Sequence, residues 1–522
     1  MAIVALRSAE GKWIMSACIL ASAMAFIDAT ALNVVLPSLQ QSLQAKGTDL
    51  FWILNAYLLM LAAFVLLGGS LGDKLGRKKV FMTGILVFIL GSVACGFSTS
   101  VNMLIAFRAL QGLGGALMIP GSLSIISASF SDQERGKAIG TWSAITTMVT
   151  IGGPILGGAL ADKGLWTFIF FINVPIGIAS LFILGFKVEE SRDQQANNTI
   201  DYPGALTTVT GLALITFAFL QLPNTGFGDW RVVMSLIAGM LLLTAFVFIE
   251  RNSKQPMMPL QLFANKTFSG ANLLTFFLYA GLAAGILFLT LNMVQVQEYS
   301  QLQAGLTLLP FTILMITNAR LSGTLTDRYG PRLLLISGPA IAGVGLLLLS
   351  FVKQTAGFAE YWTSFFPGIL VFGLGMSFTV APLTTTVMAS LPNRFSGTAS
   401  GVNNAISRIA GVFANAIFGA LAVLLFTTFL QKAIVDLPLS AQTRQAVMNQ
   451  TVNLGDATVP KSINAVTGGI IEKQYKNGFI AAYAVVMRIS ALLAFLGALM
   501  SMMFIKNEAV KGNNKGTKAV IG

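Results

Sequence analysis

The sequence contains no histidine, two cysteines, and only 33 basic and 20 acidic residues among 522. Without histidine the chain lacks the side chain that most often serves as general base, metal ligand or proton relay near neutral pH. That excludes membrane enzymes built on His clusters. Cys18 and Cys95 both lie inside apolar runs, so neither a disulfide framework nor a cysteine metal site is expected. No His, Cys or carboxylate cluster sits at a membrane face, so no enzyme activity, metal or cofactor is expected. No Gly-x-x-x-x-Gly-Lys-Ser/Thr loop is present, which argues against an ATP-driven pump. Charged residues make up 10% of the chain, against roughly 25% in soluble globular proteins. A soluble chain of this length would form about three or four domains, and the charge to coat them is missing.

What is present is apolar: hydrophobic residues are 55% of the chain. A membrane-spanning helix needs about 20 such residues in succession, so the chain is expected to be an all-α, multi-pass membrane protein. Apolar runs, read against charge and turn punctuation, fall at 13–36, 50–70, 80–98, 102–127, 137–160, 166–186, 203–222, 231–249, 268–293, 303–322, 333–352, 363–390, 400–430 and 479–505. Fourteen spans place both termini on one side. The segment before Trp13 runs into the first span with no small-residue cleavage site, so no removable signal peptide is expected. Loops and tail on the N-terminal side hold 20 of the Lys and Arg residues, and the short loops opposite hold Lys46, Lys163, Arg231 and Lys353. By the positive-inside rule both termini are cytoplasmic. The net charge of +13 is thus orientation in a bilayer, and no basic stripe interleaved with aromatics points to nucleic acid. Residues 431–478 break the apolar pattern with Gln, Asn, Thr and Lys; they are expected to form an exterior loop, with an amphipathic helix near 440–452.

One segment repeats. Gly69-Ser-Leu-Gly-Asp73-Lys-Leu-Gly76-Arg77-Lys-Lys returns 254 residues later as Gly323-Thr-Leu-Thr-Asp327-Arg328-Tyr-Gly330-Pro-Arg332. Both copies close one span and open the next on the cytoplasmic side, eight spans apart. Two six-span halves would place them six apart, so the spans at 203–222 and 231–249 are read as an insertion. The expected organisation is a six-helix bundle at 13–186, two inserted helices within 203–249, a second six-helix bundle at 268–505, and a tail at 506–522. In the loop itself, glycine permits a tight turn, Asp suits a helix N-terminus, and Arg and Lys suit phosphate headgroups or the Asp. Two copies in corresponding places mark a conformational latch formed by Gly69, Asp73, Gly76, Arg77, Asp327 and Arg328.

These residues carry a family resemblance. The loop from Gly69 to Lys79 resembles the signature loop of the major facilitator superfamily. Phe26-Ile-Asp28-Ala-Thr30-Ala-Leu-Asn33-Val-Val-Leu-Pro37 resembles the first-helix motif of its fourteen-helix drug:proton antiporter branch. Leu104-Ile-Ala-Phe-Arg108-Ala-Leu-Gln111-Gly112-Leu-Gly114 resembles the fourth-helix motif, and Ile151-Gly-Gly153-Pro154-Ile-Leu-Gly157-Gly158 the fifth-helix motif of antiporters. The departures are Lys74, where the loop often has arginine, and Pro331 in the second copy. The resemblance implies a major facilitator fold of two six-helix bundles plus two inserted helices. It makes Asp28 the proton and cationic-substrate residue and Arg108 a participant in coupling. It assigns Gly153, Pro154, Gly157 and Gly158 to packing that limits leak.

The residues support that assignment independently. A charge in mid-span costs at least about 2.5 kcal/mol and marks function; Asp28, fifteen residues beyond Trp13, is the one acid placed deep in a span. Arg108 is the natural counter-charge, and a static buried ion pair is the alternative. Arg408 is read as an arginine near a span end that snorkels. Asn33, Asn55, Tyr57, Gln111, Met118, Asn292 and Gln295 are further polar or soft residues suited to lining a cavity. The leading expectation is a proton-coupled multidrug efflux antiporter of the inner, cytoplasmic membrane. A dedicated exporter of one metabolite, amino acid, siderophore or lipid is the alternative, and a non-transporting receptor or scaffold is the rival from another class. Expected partners are protons, small amphiphilic substrates and the lipid bilayer, with the chain a monomer and the need for a periplasmic adaptor open.

Overall fold

The computed structural model describes residues 4–192, 201–253, 256–391 and 396–506. Among the described residues every regular element is helical. In chain order these are α1 Ala9–Ser42, α2 Gly47–Leu75, α3 Arg77–Gly96, α4 Val101–Ser129, α5 Asp132–Ala161 and α6, Phe168–Phe171 continued by Asn173–Lys187. They are followed by α7 Tyr202–Thr225, α8 Trp230–Asn252, α9 Lys266–Gln295 and α10, Gln301–Thr307 continued by Leu309–Tyr329. The chain ends with α11 Pro331–Leu349, α12 (Phe366–Ser377 continued by Val380–Ala389), α13 Ser396–Ala433, a short α14 Ala441–Asn449, and α15 Ala465–Phe504.

The boundaries follow local chemistry. Ser8, Ser100, Asn265 and Asn464 each accept a backbone N–H in the first turn of α1, α4, α9 and α15, which satisfies donors that a helix leaves orphaned. Gly76 (φ 116°) and Gly330 (φ 81°) separate α2 from α3 and α10 from α11; only glycine adopts such angles without strain. Pro310 near the start of the long piece of α10 and Pro382 in α12 lack the N–H that would continue the preceding turn, and both rods are interrupted just upstream.

Thirteen helices among the described residues are long and apolar enough to cross a membrane. The remaining expected span, 137–160, falls within α5, whose described apolar stretch is Met148–Ala161. The first turns of α5 carry Glu134, Arg135 and Lys137 instead. The final helix begins at Ala465, fourteen residues before the expected 479, so the last part of the 431–478 segment is helical. It holds α14, capped by Ser440, close to the expected position.

α1 packs on α4, α5 and α6, while α4 packs on α2 and α3. α15 packs on α9, α11 and α13, and α12 packs on α10 and α11. α7 and α8 pair with each other, and α7 lies against both α2 and α13. α8 has a mean hydropathy of 2.7, with only 17% of its apolar window buried. Its Met240, Leu241 and Phe248 face outward, as a lipid-facing helix requires. This is a multi-pass membrane protein.

The two groups of helices meet at the end opposite the N-terminus. α2 lies along α13, where Gly419 receives the Phe51 ring, and Phe51 also meets Phe288 of α9, with ring centroids 5.9 Å apart. The Asp162 carboxylate, just past α5, accepts from Ser300 Oγ (2.8 Å), Gln301 N (2.8 Å) and Leu302 N (3.1 Å), so it caps α10 across the junction. Gly158 abuts the Gln301 carbonyl, and Gly305 abuts the Pro154 carbonyl. Gln301 Nε2 donates to Ser38 Oγ at 2.5 Å, Gln295 Nε2 to Gln40 Oε1 at 2.8 Å, and Gln40 Nε2 to Asn453 O at 3.2 Å. The 434–463 segment therefore rests on α1. Within it, burial holds the Asp456 carboxyl above the usual carboxylate range, partly offset by a hydrogen bond from Gln41.

A side chain at Gly158 has no room beside Gln301. Gly158→Leu is therefore expected to loosen this end: a Ser38→Cys reporter should react with maleimide several-fold faster in that background than with Gly158 present. Equal labelling rates would show that the contact does not hold the end shut.

Candidate functional site

Asp28 and Arg108 meet in the middle of the first group of helices. Asp28 is fully buried on α1 and Arg108 is 1% exposed on α4; an Arg108 terminal nitrogen lies 2.5 Å from Asp28 Oδ2. The same nitrogen donates to Gln111 Oε1 (2.6 Å), and Gln111 Nε2 donates to Asp28 Oδ1 (2.8 Å) and to Ser92 Oγ (3.1 Å). The i, i+3 spacing of Arg108 and Gln111 puts both on one face of α4, so one helix supplies donors to both carboxylate oxygens. Ser92 of α3 passes its own hydrogen to the Phe170 carbonyl (2.9 Å) and accepts from Asn173 Nδ2 of α6 (2.9 Å). The guanidinium also lies over the Tyr57 ring of α2, 4.4 Å from its centroid, and 5.9 Å from that of Phe170. Five helices thus converge on one buried ion pair.

Such a pair is well satisfied but not closed. Arg108 Nε has no hydrogen-bond partner among the described residues. Burial makes the two charges costly to separate and costly to desolvate, so protonating Asp28 or replacing Arg108 as its partner changes the energy of contacts that join all five helices.

The other expected site residues distribute as follows. Tyr57 and Gln111 join the Asp28 cluster. Met118 is buried in the core of the first group. Asn33 is half-buried and donates to the Ala29 carbonyl (3.3 Å). Asn55 and Asn292 are fully buried, with no hydrogen-bond partner for either amide atom among the described residues. Gln295 belongs to the closed end, bonded to Gln40. In the fifth-helix motif, Gly153 sits against Thr30 and Gly157 against Ala31 of α1, while Pro154 and Gly158 face α10. This motif is wedged between its own group and the opposite one.

Of the latch residues, the side chains of Asp73 and Asp327 lie outside the described residues. Gly69 faces Pro120, and Arg328 is exposed with its guanidinium over Tyr329. The first loop has a partner that sequence patterns did not mark. Glu190, after α6, accepts from Lys78 N (3.0 Å) and Lys79 N (3.1 Å), and Arg77 N donates to Ser191 O (2.9 Å). A carboxylate at a helix N-terminus is stabilising, and a Cβ on Gly76 would meet that carboxyl at 2.7 Å. In the second copy, Arg332 donates to the Met502 carbonyl (2.9 Å), which ties the loop to α15. Ser92, Asn173 and Phe170 were also missed. Polar residues in apolar helices were the available signal, but nothing in the sequence aligns α3 and α6 with Asp28.

Arg408 differs from its expected setting. α13 begins at Ser396, twelve residues earlier. Arg408 is thus half-buried and more than three turns from the start of its helix.

Two groups of membrane-spanning helices, closed against each other at one end, with a buried ion pair inside the first, define the class: a multi-pass membrane transporter. Residues 18–415 match the model of the Major Facilitator Superfamily, and the chain belongs to that family. It is 28% identical over 489 residues to the tetracenomycin C resistance and export protein of Streptomyces glaucescens, covering 93% of this chain and 90% of that one. It is 32% identical over 419 residues to the multidrug resistance protein Stp of Mycobacterium tuberculosis, covering 79% and 77%. In fold it is similar to a bacterial homologue of the human lysosomal transporter Spinster, with a TM-score of 0.67, 18% identity, and coverage of 96% and 98%.

Removing one member of the buried pair leaves the other uncompensated. Arg108→Ala is expected to cost about 3–5 kcal/mol of stability, measured by denaturation in detergent micelles. The double variant Asp28→Asn/Arg108→Gln should cost less than Arg108→Ala alone; a larger loss in the double variant would mean that packing, not charge, dominates there.

Proposed function

We propose that the protein is a proton-coupled multidrug efflux antiporter that exports amphiphilic, cationic or neutral, compounds by alternating access, with fourteen spans and both termini cytoplasmic. The observation that carries this reading is the Asp28–Arg108–Gln111 cluster: an acid in mid-membrane, held by donors from one helix and connected to three others. The names of the relatives, which specify resistance and export, support the direction of transport. A dedicated exporter of one compound would use the same machinery.

With the N-terminus cytoplasmic, the closed end is exterior and this is the inward-facing state of the cycle. In this state Asp28 gives up its proton toward the cytoplasm, and the freed carboxylate draws in a cationic amphiphile. Rocking of the bundles then parts Asp162 from α10 and Gly158 from Gln301. Protonation from outside neutralises Asp28 and expels the substrate, and the loop at Gly69–Arg77 with its counterpart near Arg328 latches the cytoplasmic side meanwhile. Each proton moving inward releases about 2.3 kcal/mol per 100 mV, enough for at least roughly tenfold accumulation outside.

In proteoliposomes with an imposed proton gradient, Asp28→Asn is expected to abolish uphill transport of a cationic dye such as ethidium, together with the proton release that accompanies dye binding. Retention of gradient-driven transport at the normal rate would overturn the coupling role.

A further inference from the structure

The inserted helices α7 and α8 bury two acids that the transport cycle does not use. On their facing sides Gly211 meets Leu243 and Gly239 meets Ile215. Two turns further toward the N-terminus of α7 and the C-terminus of α8, the same antiparallel register sets Gly204 opposite Glu250. The Asp201 carboxyl sits over Gly204: its Oδ1 accepts from Gly204 N (2.8 Å), and a Cβ on Gly204 would meet Oδ2 at 2.8 Å. Glu250 Oε2 accepts from Met258 N (3.0 Å), in the linker that leads to α9. Glu250 is 2% exposed and Asp201 9%. Each keeps one oxygen, Glu250 Oε1 and Asp201 Oδ2, buried and without a hydrogen-bond partner among the described residues, and neither has an ion-pair partner there. On the same two helices Tyr202 and Arg251 are exposed, the linker carries no ionisable side chain over 256–264, and Lys266 beyond it is exposed. Of the helices packed on α7, α2 ends with Asp73 and Lys74, and α13 carries Arg408 more than three turns in.

Two carboxylates do not both keep their charge in one buried place without a counter-ion. One proton removes the conflict: placed between the two unpartnered oxygens, it lets one carboxyl donate and the other accept, and a hydrogen bond joins the side chains. We propose that Asp201 and Glu250 form a second proton-binding site, which holds one shared proton at the cytoplasmic end of the inserted helices and fastens the 256–264 linker to them. Loss of that proton leaves two facing negative charges. They push apart, Glu250 turns to water, and the Met258 bond goes with it. Acid in the cytoplasm therefore closes this clasp and alkali opens it, which sets how firmly the start of α9 is tied to the inserted helices. Only the side of the membrane that the site faces rests on the export reading, and the Asp28 cluster supplies no atom to it.

Two measurements on the full chain in a neutral detergent read the site without transport. In infrared spectra taken across pH, the carbonyl stretch of a protonated carboxyl should fade in a step between about pH 5 and about 9, above the ordinary carboxylate range, and Glu250→Gln should lose that step. Hydrogen exchange of the peptide that holds the Met258 amide, corrected for its intrinsic rate, should quicken roughly tenfold across the same step in the native protein. In Glu250→Gln it should stay slow throughout, because the side-chain amide donates to Asp201 and its oxygen still accepts from Met258 N. Asp201→Asn donates to Glu250 and favours its charged form, so it should move the step below about pH 5. Native exchange in the rest of α7 and α8 shows that a variant is folded, and if Glu250→Gln is not, Asp201→Asn carries the test. An infrared step of equal size in Glu250→Gln, native linker exchange that ignores pH, or a step in Asp201→Asn at the same pH as in the native protein overturns the assignment. Slow exchange restored above the step by sodium or calcium chloride, and not by choline chloride, would also overturn it, by giving the site to a metal cation. The export reading stands or falls separately, on gradient-driven transport by Asp28→Asn.

Discussion

A carboxylate in the middle of a hydrocarbon layer must be neutralised by a proton or by a partner, and the first half of this protein is arranged around that requirement. Arg108 supplies the partner, Gln111 holds both, and Ser92, Asn173, Phe170 and Tyr57 bring in α3, α6 and α2. Each of these helices could be held by apolar packing alone. What the charge adds is register: a one-residue slip of α4 would move both Arg108 and Gln111 off the Asp28 face. The cost of burying the pair is offset by a specified arrangement whose energy changes when a proton arrives.

A second device recurs, in which a carboxylate caps a helix that belongs to another element. Glu190 caps α3 within the first group, and Asp162 caps α10 across the junction between groups. The physics is the same, but the mechanical meaning differs. The first fastens the signature loop to its own bundle, so that loop and bundle move together. The second joins the two groups of helices, through hydrogen bonds to main-chain N–H groups that water could satisfy equally well.

Much of this was legible in the sequence because membranes simplify the code. Apolar runs placed the spans, and Lys and Arg counts indicated orientation. The scarcity of acids singled out Asp28, and the embedded arginine named its partner. Short-range patterns also served where the chemistry is local, as at Gly76 and Gly330. Glu190 and Asp162 stayed hidden because their partners are backbone atoms more than a hundred residues away, and acids in loops are ordinary. Ser92 and Asn173 stayed hidden because a polar residue in a span does not reveal which neighbour it faces. Arg408 was read as lying near the end of the run drawn from residue 400, because the polar segment before it, including Asn403 and Asn404, hides where the helix starts. In the structure it is helix, with Asn403 bonded to Asn272 and Thr275 of α9.

The contacts of Gly158 with the Gln301 carbonyl and of Gly305 with the Pro154 carbonyl are made to main-chain oxygens. Main chain is common to every residue type, so this seal requires only that two positions carry no side chain. At these two points main chain sets the fit, while Asp162, Gln301 and Gln295 supply side-chain bonds beside it. Substituting the residues that supply those two carbonyls leaves the contacts in place, whereas a side chain at either glycine removes them, so the closure is tied to two positions and indifferent to the identity of their partners.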